Sequence, residues 1–525
     1  MYKEIQLTLP PQEAAQMAAD NTYAKRRLSK EVDVDSTSIS HIRMLKRSID
    51  ARRSHGVLVL LTFGVWVDEE PQHPVIDLPG YKDVSAARPV VVVGAGPGGL
   101  FAALRLVELG IRPIVVERGQ DVSKRKVDIA QLCRTHTVDP ESNYAFGEGG
   151  AGTFSDGKLY TRSTKRGNIN KILQVFCHHG AKEDILIDAH PHIGTDVLPT
   201  VIKNMRETII AHGGQVLFGA KMTDIKVSDG KVRGIVVNDK DNIDADAVIL
   251  ATGHSARDVY HLLHNKGISL ESKTWAMGVR VEHPQELIDQ IQYHSREGRG
   301  DYLPAASYSF VTQVADRGVY SFCMCPGGFI VPAMTAANQQ VVNGMSPSHR
   351  GSPFANSGIV VEIRPEDIGE LQNDGPLGAL KYQEQLEEMA FINGGRGITA
   401  PAQGLADFVQ GKISQQLPPC SYVPGVMTSP MHFWLPEHIG MRLRKGFETF
   451  GKQARGFMTN EALVVGVESR TSSPVRIPRN PATMQHPNVE GLYPCGEGAG
   501  YAGGIVSSAV DGELCAEKIA ELLKA

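Results

Sequence analysis

The sequence predicts an α/β protein in which a buried parallel sheet follows a small N-terminal α+β domain and is interrupted by an inserted mixed α+β domain. Three observations carry this. Pro89-Val90-Val91-Val92-Val93 is an apolar run without alternation, the pattern of a strand covered on both faces. A helical pattern from Gly98 to Val107 and a second strand, Ile111 to Glu117, follow at once and complete a strand–helix–strand unit. From about 268 to 455 the pattern changes to mixed helices, strands and long Pro/Gly-rich loops, before Leu492 to Leu523 returns to the first type.

In chain order, Lys3 to Thr8 alternates as a strand. Pro11 to Leu28 reads as one helix opened by Pro10-Pro11, and Val57 to Val67 returns to strand, giving a small α+β domain over 1–75. Between them lies the cationic cluster Leu45 to Arg53, read as a solvated helix face, with a patch for an anion, RNA or a protein partner as the alternative. A Pro- and Asp-rich linker spans roughly 69–86. The first part of the sheet domain covers 85–265. Within it, Gly213 to Phe218 reads as a strand leading into a β-meander over 222–239, and Val248 to Leu250 as a short buried strand that ends in a turn at Gly253. The inserted substrate or cap domain takes 266–455, and 456–525 completes the sheet domain.

Composition excludes several classes. A chain of 525 residues, 42% hydrophobic, can bury two or three cores and is not expected to be disordered. Its formal net charge of −4 gives no global attraction to nucleic acid. Met1 to Gln6 does not read as a secretory signal, and the longest apolar run, Val57 to Val67, is shorter than the ~20 residues that span a bilayer. A cytoplasmic protein without a membrane partner is expected. The seven cysteines are scattered and do not suggest a disulfide framework. Cys323-Met324-Cys325 lacks a second pair at zinc-site spacing and His190-Pro191-His192 reads as a loop, so no metal is expected.

The chemistry begins at Gly94-Ala95-Gly96-Pro97-Gly98-Gly99, which sets glycines at the first, third and sixth positions between a strand and a helix. Gly94 permits the tight turn, Gly96 removes the side chain where backbone approaches a pyrophosphate, and Gly99 allows close helix packing. The amides at the start of the helix then face the phosphates. Glu117 closes the second strand where a carboxylate can accept hydrogen bonds from an adenosine ribose, and Arg118 beside it is a candidate for the adenine or a phosphate. This Rossmann-like unit leaves the choice of dinucleotide open.

Three further segments bear on that choice. Asp246 to Gly253 resembles the second signature of glutathione-reductase-type flavoproteins. Lys221-Met222-Thr223 corresponds to the strand that meets adenine through its main chain in those proteins. Gly491 to Gly500, followed by Ala502-Gly503-Gly504-Ile505, resembles their C-terminal flavin motif. The resemblance implies FAD, held by Met222, Thr252, Gly253, Gly496, Glu497, Gly503, Gly504 and Ile505 together with the residues of the first turn. The amides of Gly504 and Ile505 would stabilise negative charge on a reduced flavin through the positive end of their helix. Phe146 to Tyr160, Ala251 to Asp258, Gly278 to Pro284 and Ser352 to Gly358 also resemble a bacterial family of FAD-dependent dehydrogenases of unassigned substrate. That resemblance spans nearly the whole chain and implies a Rossmann-like FAD-binding domain with a β-meander and redox activity, without naming a reaction.

Absences narrow the mechanism. The CxxxxC pair of disulfide reductases is missing, since Cys133 is followed by Thr137-Val138 where the partner would lie. No second intact GxGxxG is present for NAD(P)H, so a nicotinamide would dock transiently as a co-substrate, or the substrate itself would reduce the flavin. Cys495, beside the flavin motif, reads as a small buried residue, with a covalent or charge-transfer contact as the alternative. Lys158, Tyr160, Arg280 and His283 are the candidates for the substrate pocket. The expected function is hydride transfer between a small organic substrate and FAD. The alternatives are a non-catalytic flavin-binding or RNA- or partner-associated protein with structural FAD, and a flavin monooxygenase.

Overall fold

A strand that alternates polar and apolar residues can bury one face, and β1 (Tyr2–Leu9) does so through Leu7 and Leu9. The computed structural model describes residues 1–52, 56–72, 76, 79–161 and 167–524. The expected single N-terminal helix is two, α1 (Pro11–Ala19) and α2 (Asn21–Val32). Asp20 divides them: its backbone is extended, and its carboxylate accepts the Thr22 and Tyr23 amides as the cap of α2. Met17, Ala24 and Leu28 cover the sheet.

The cationic segment is not a helix face. It runs through β2 (Ile39–Asp50), which pairs antiparallel with β3 (Leu58–Val67), and β3 pairs with β1. Ile39, Ile42 and Met44 pack into the small core, a requirement that outweighs the run of charges beside them. Arg47 docks this domain onto the next. Its amide donates to Ile187 O (2.8 Å), its carbonyl accepts Ala189 N (3.0 Å), and its guanidinium grips Asp188 (2.6 and 3.0 Å). Arg52 pairs with Asp50. Arg53 and linker residues 73–75, 77 and 78 lie outside the described residues.

The unalternating valines become β4 (Pro89–Val93), the centre of a five-stranded parallel sheet. α3 (Pro97–Leu109) leads from it to β5 (Arg112–Val116), with Gly110 ending the helix at φ +82°. β6 (Gln215–Leu217) extends one edge. The meander follows as β7 (Met222–Ser228), β8 (Lys231–Val237) and β9 (Asp241–Asp244), and β10 (Val248–Leu250) returns beside β4. The far edge is Leu492–Pro494, and the last helix, Ile505–Lys524, packs along α3.

The insert carries a seven-stranded sheet. It reaches beyond 455, because strand Leu463–Glu468 pairs with both Trp275–Pro284 and Ala400–Gly404. Trp275–Pro284 therefore lies between Phe354–Ile363 and Leu463–Glu468, and residues 275–283 are all buried. Among the described residues no helix is long and apolar enough to cross a membrane.

Candidate cofactor and substrate site

At the carboxyl end of β4 the chain must reverse into α3 within a few residues, and the glycines divide the work. Gly94 has φ +101°, and a Cβ there would lie 2.4 Å from Ala251 O. A Cβ at Gly99 would fall 1.9 Å from Gly94 O, so this glycine sits behind the turn and lets it close. Gly96 differs. Its φ of −75° suits any residue, and the nearest atom to an added Cβ is 3.9 Å away, so the protein leaves that space for something else. Pro97 opens α3, giving a helix N-terminus aimed at the groove.

A groove of about 370 Å³ starts here. It is lined by Gly94, Gly96, Pro97 and Gly98 of the first turn, by Glu117, Arg118 and Met222, by Thr252, Gly253, Gly496 and Glu497, and by Gly503, Gly504 and Ile505 at the start of the last helix. Of the residues expected at the cofactor, Gly99 alone supports the groove from behind.

Buried Glu117 accepts the amides of Ala95, Gly119 and Gly147, each at 2.9 Å, and so ties the first turn to the following loops. Arg118 lies over the Phe146 ring (4.5 Å) and pairs with Asp258 and, at 3.6 Å, Glu141. Cys495 is fully buried and does not line the groove. It belongs to a buried cluster with Asp511 and Cys515, in which Asp511 is held by Arg479 (2.6 and 2.8 Å) and Gly496 N (2.7 Å).

Several residues escaped the sequence reading. His254 sets Nδ1 3.3 Å from Glu497, while its Nε2 is buried without a hydrogen-bond partner at the groove wall. Arg470 reaches the groove from the insert. Behind it, fully buried Glu387 binds Arg257 (2.8 and 2.9 Å), Arg470 (3.1 Å) and the Ser469 hydroxyl (2.7 Å). Burial alone would raise this carboxyl, but Arg257 and Arg470 overrule it and hold it at about 2. Arg257 comes from the sheet domain and Glu387 from the insert, so the ion pairs join the two at the groove.

Beyond Gly503 and Gly504 the groove opens into a second cavity of about 950 Å³. Lys158, Tyr160, Phe322 and Cys323 border both. Lys158 Nζ is 3.9 Å from the Asp156 carboxylate and is buried without a hydrogen-bond partner. Arg350 binds the same carboxylate at 2.9 Å. Burial would raise Asp156, but Lys158, Arg350 and His192 together keep it below the usual range.

Two of the four pocket candidates are elsewhere. Arg280 and His283 lie on Trp275–Pro284, a strand buried on both faces, so their side chains end in protein. Arg280 binds Glu468 (2.8 Å), Asn356 (2.7 Å) and Cys323 O (2.7 Å). His283 places Nε2 2.8 Å from Phe457 O, and burial lowers its pKa to about 4.

The residues fit a dinucleotide: a side-chain-free approach at Gly96, open space at Gly253 and Gly503, two helix N-termini and, at the wall, the His254 Nε2 without a hydrogen-bond partner. Fold and groove together define an α/β protein with a parallel sheet and a dinucleotide-sized groove at its carboxyl edge. Residues 87–257 match the FAD binding domain family, 274–471 the family described as FAD-dependent protein, C-terminal domain-like, and 1–66 a domain family of unknown function, DUF8436. A protein of Clostridium beijerinckii, described as uncharacterized, is 40% identical over 523 residues, covering 96% of each chain. The chain belongs to the same full-length family as that protein, and FAD is the cofactor its domains are built to bind. A thiamine thiazole synthase of Methanococcus maripaludis is 26% identical over 222 residues, 40% of this chain and 67% of that one. A solved geranylgeranyl bacteriochlorophyll reductase-like protein of Thermoplasma acidophilum is 14% identical with a TM-score of 0.35, covering 83% of this chain and 79% of that one.

Proposed function

We propose that this protein is an FAD-dependent oxidoreductase that transfers hydride between a small organic substrate and its flavin. The observation that carries the reading is the continuity of the cofactor groove with the larger cavity at Gly503, Gly504 and Lys158. Bound FAD supplies a centre that accepts or gives two electrons with a proton. The chain's own residues do the rest. The Gly94–Gly99 turn and the α3 N-terminus would hold the pyrophosphate, and Glu117 would face the ribose. The N-terminus of Ile505–Lys524 lines the groove, and its amides without intrahelical partners would stabilise negative charge on a bound flavin. Lys158 presents a positive charge at the junction, suited to an anionic group on the substrate. The ion pairs of Glu387 with Arg257 and Arg470 keep the two walls in place.

NAD(P)H is the proposed co-reductant, reaching the flavin transiently through the second cavity. The test is anaerobic titration of the holoprotein with NADH, NADPH and pools of small organic donors. Bleaching of the flavin absorption by one of them is expected. A flavin that chemical reductant bleaches but no hydride donor does would overturn the proposal.

A further inference from the structure

The close pair of cysteines has a geometry its spacing does not reveal. Strand Arg317–Cys325 pairs with Phe354–Ile363, but the register shifts between Phe322 and Cys325, and Cys323 within that bulge has φ +46°. A bulge re-aims side chains. Here Cys323 borders both the groove and the second cavity, whereas Cys325 is fully buried behind it. Cys325 Sγ donates to Cys323 O (3.3 Å), the thiols share a hydrogen bond, and Arg280 Nη2 reaches both Cys323 O (2.7 Å) and Cys325 Sγ (3.5 Å). Arg280, absent from the pocket, therefore fixes the bulge that aims Cys323 into it.

The charged and titratable groups around Cys323 come from four elements: Cys325 on its own strand, Lys158 and Asp156 on the loop opposite, Arg280 on Trp275–Pro284, and Glu468 on Leu463–Glu468. The hydrogen bond from Cys325 outweighs burial and, with Lys158 and Arg280, brings the Cys323 thiol down to about 6. The same contact and burial push Cys325 well above the ordinary thiol range. One sulfur is thus a half-buried, cavity-lining thiol that favours its thiolate and its neighbour a buried thiol that disfavours it, the division of labour between an attacking and a resolving cysteine.

We propose that Cys323 and Cys325 form a redox-active dithiol couple that reduces a disulfide substrate admitted through the second cavity. The Cys323 thiolate attacks one sulfur of the substrate disulfide, forming a mixed disulfide and expelling the other half as a thiolate. Cys325 then gives its proton, through water, to the thiolate already expelled, attacks the Cys323 sulfur, and releases the second half as a thiolate. The product is a Cys323–Cys325 disulfide, a thiol and a thiolate, which takes up a proton from water. Return of the couple to the dithiol consumes two electrons and two protons. The electrons come from the reduced flavin, recharged by the hydride donor proposed above. This last step rests on that reading, whereas the thiol chemistry does not.

The test uses holoprotein and reads the sulfurs themselves. Iodoacetamide labelling of Cys323, followed by peptide mass spectrometry from about pH 5 to about 9, should show a midpoint near 6. That corresponds to roughly 30-fold more thiolate at pH 7 than for a thiol of ordinary pKa near 8.5. Lys158→Met and Cys325→Ser should each raise the midpoint. After incubation with glutathione disulfide and acid quenching, wild type should carry a 323–325 disulfide, and Cys325→Ser a trapped Cys323–glutathione adduct. A Cys323 midpoint near 8.5, or no adduct on folded Cys325→Ser, overturns the proposal even if a hydride donor bleaches the flavin. If the disulfide forms as expected but no donor bleaches the flavin, the thiol couple stands and the hydride-transfer reading fails.

Discussion

Gly96 and Gly99 lie three residues apart in one turn, yet their replacement by alanine should fail in opposite ways. At Gly96 the backbone (φ −75°) accepts alanine without strain, and the new methyl meets no protein atom closer than 3.9 Å. The apoprotein should therefore be as stable as wild type, or gain up to about 0.4–1 kcal/mol from a less flexible unfolded chain. With FAD bound as proposed, the methyl would occupy the space where the pyrophosphate meets backbone amides. Losing one charge-assisted hydrogen bond there costs roughly 1.5–3 kcal/mol, a 10- to 100-fold loss of FAD affinity by the ~1.4 kcal/mol per tenfold rule. At Gly99 the methyl would lie 1.9 Å from Gly94 O and 3.0 Å from Gly94 C. Backbone must move, so the apoprotein itself should lose at least about 1–3 kcal/mol. Flavin fluorescence quenching on titration of apoprotein gives affinity, and thermal melting of the same samples gives stability. The reasoning is refuted if Gly96→Ala binds FAD as wild type does, or if it destabilises the apoprotein as much as Gly99→Ala.

Other outcomes follow from the buried charges. Glu387, held at about 2 against an ordinary 4.5, is depressed in the fold. Its contribution is fully present above about 4.5 and is lost as pH falls towards 2, on the order of 3 kcal/mol in all. Glu387→Gln should lower stability by about 3–5 kcal/mol at pH 7, because two buried guanidiniums lose their counter-charge; an unchanged denaturation midpoint would count against the bridge. His283→Leu should cost about 1–3 kcal/mol by stranding Phe457 O, while leaving FAD affinity unaltered in the quenching titration. Arg47→Ala should speed proteolysis within 69–86 while changing global stability by no more than about 1 kcal/mol, since its ion pair is partly exposed.

That the motif glycines and their neighbours come to one groove was legible because their signals are local. Glycine spacing, an unalternating strand and a helix start each show within ten residues, and Gly94, Gly253 and Gly503 all come to one groove. What escaped depends on partners far along the chain. Arg280 and His283 read as pocket candidates only because they are polar residues of the inserted domain. The antiparallel neighbours at Phe354–Ile363 and Leu463–Glu468 bury them instead, and nothing near 280 announces those neighbours. The same pairing carries the insert past its expected end at 455. Asp20 splits a helix that periodicity runs together, and β2 is a strand because β3 and a small core demand it. The CxC spacing was visible, but its bulge and its place at the junction of two hollows were not.

The most direct measurement of hydride transfer is the absorption spectrum of the purified holoprotein, recorded anaerobically before and after addition of NADH, NADPH and organic donors. A flavin spectrum that one donor bleaches, and that a fresh oxidant restores, is expected. A flavin reducible by dithionite but by no hydride donor, with the fold intact, would contradict it.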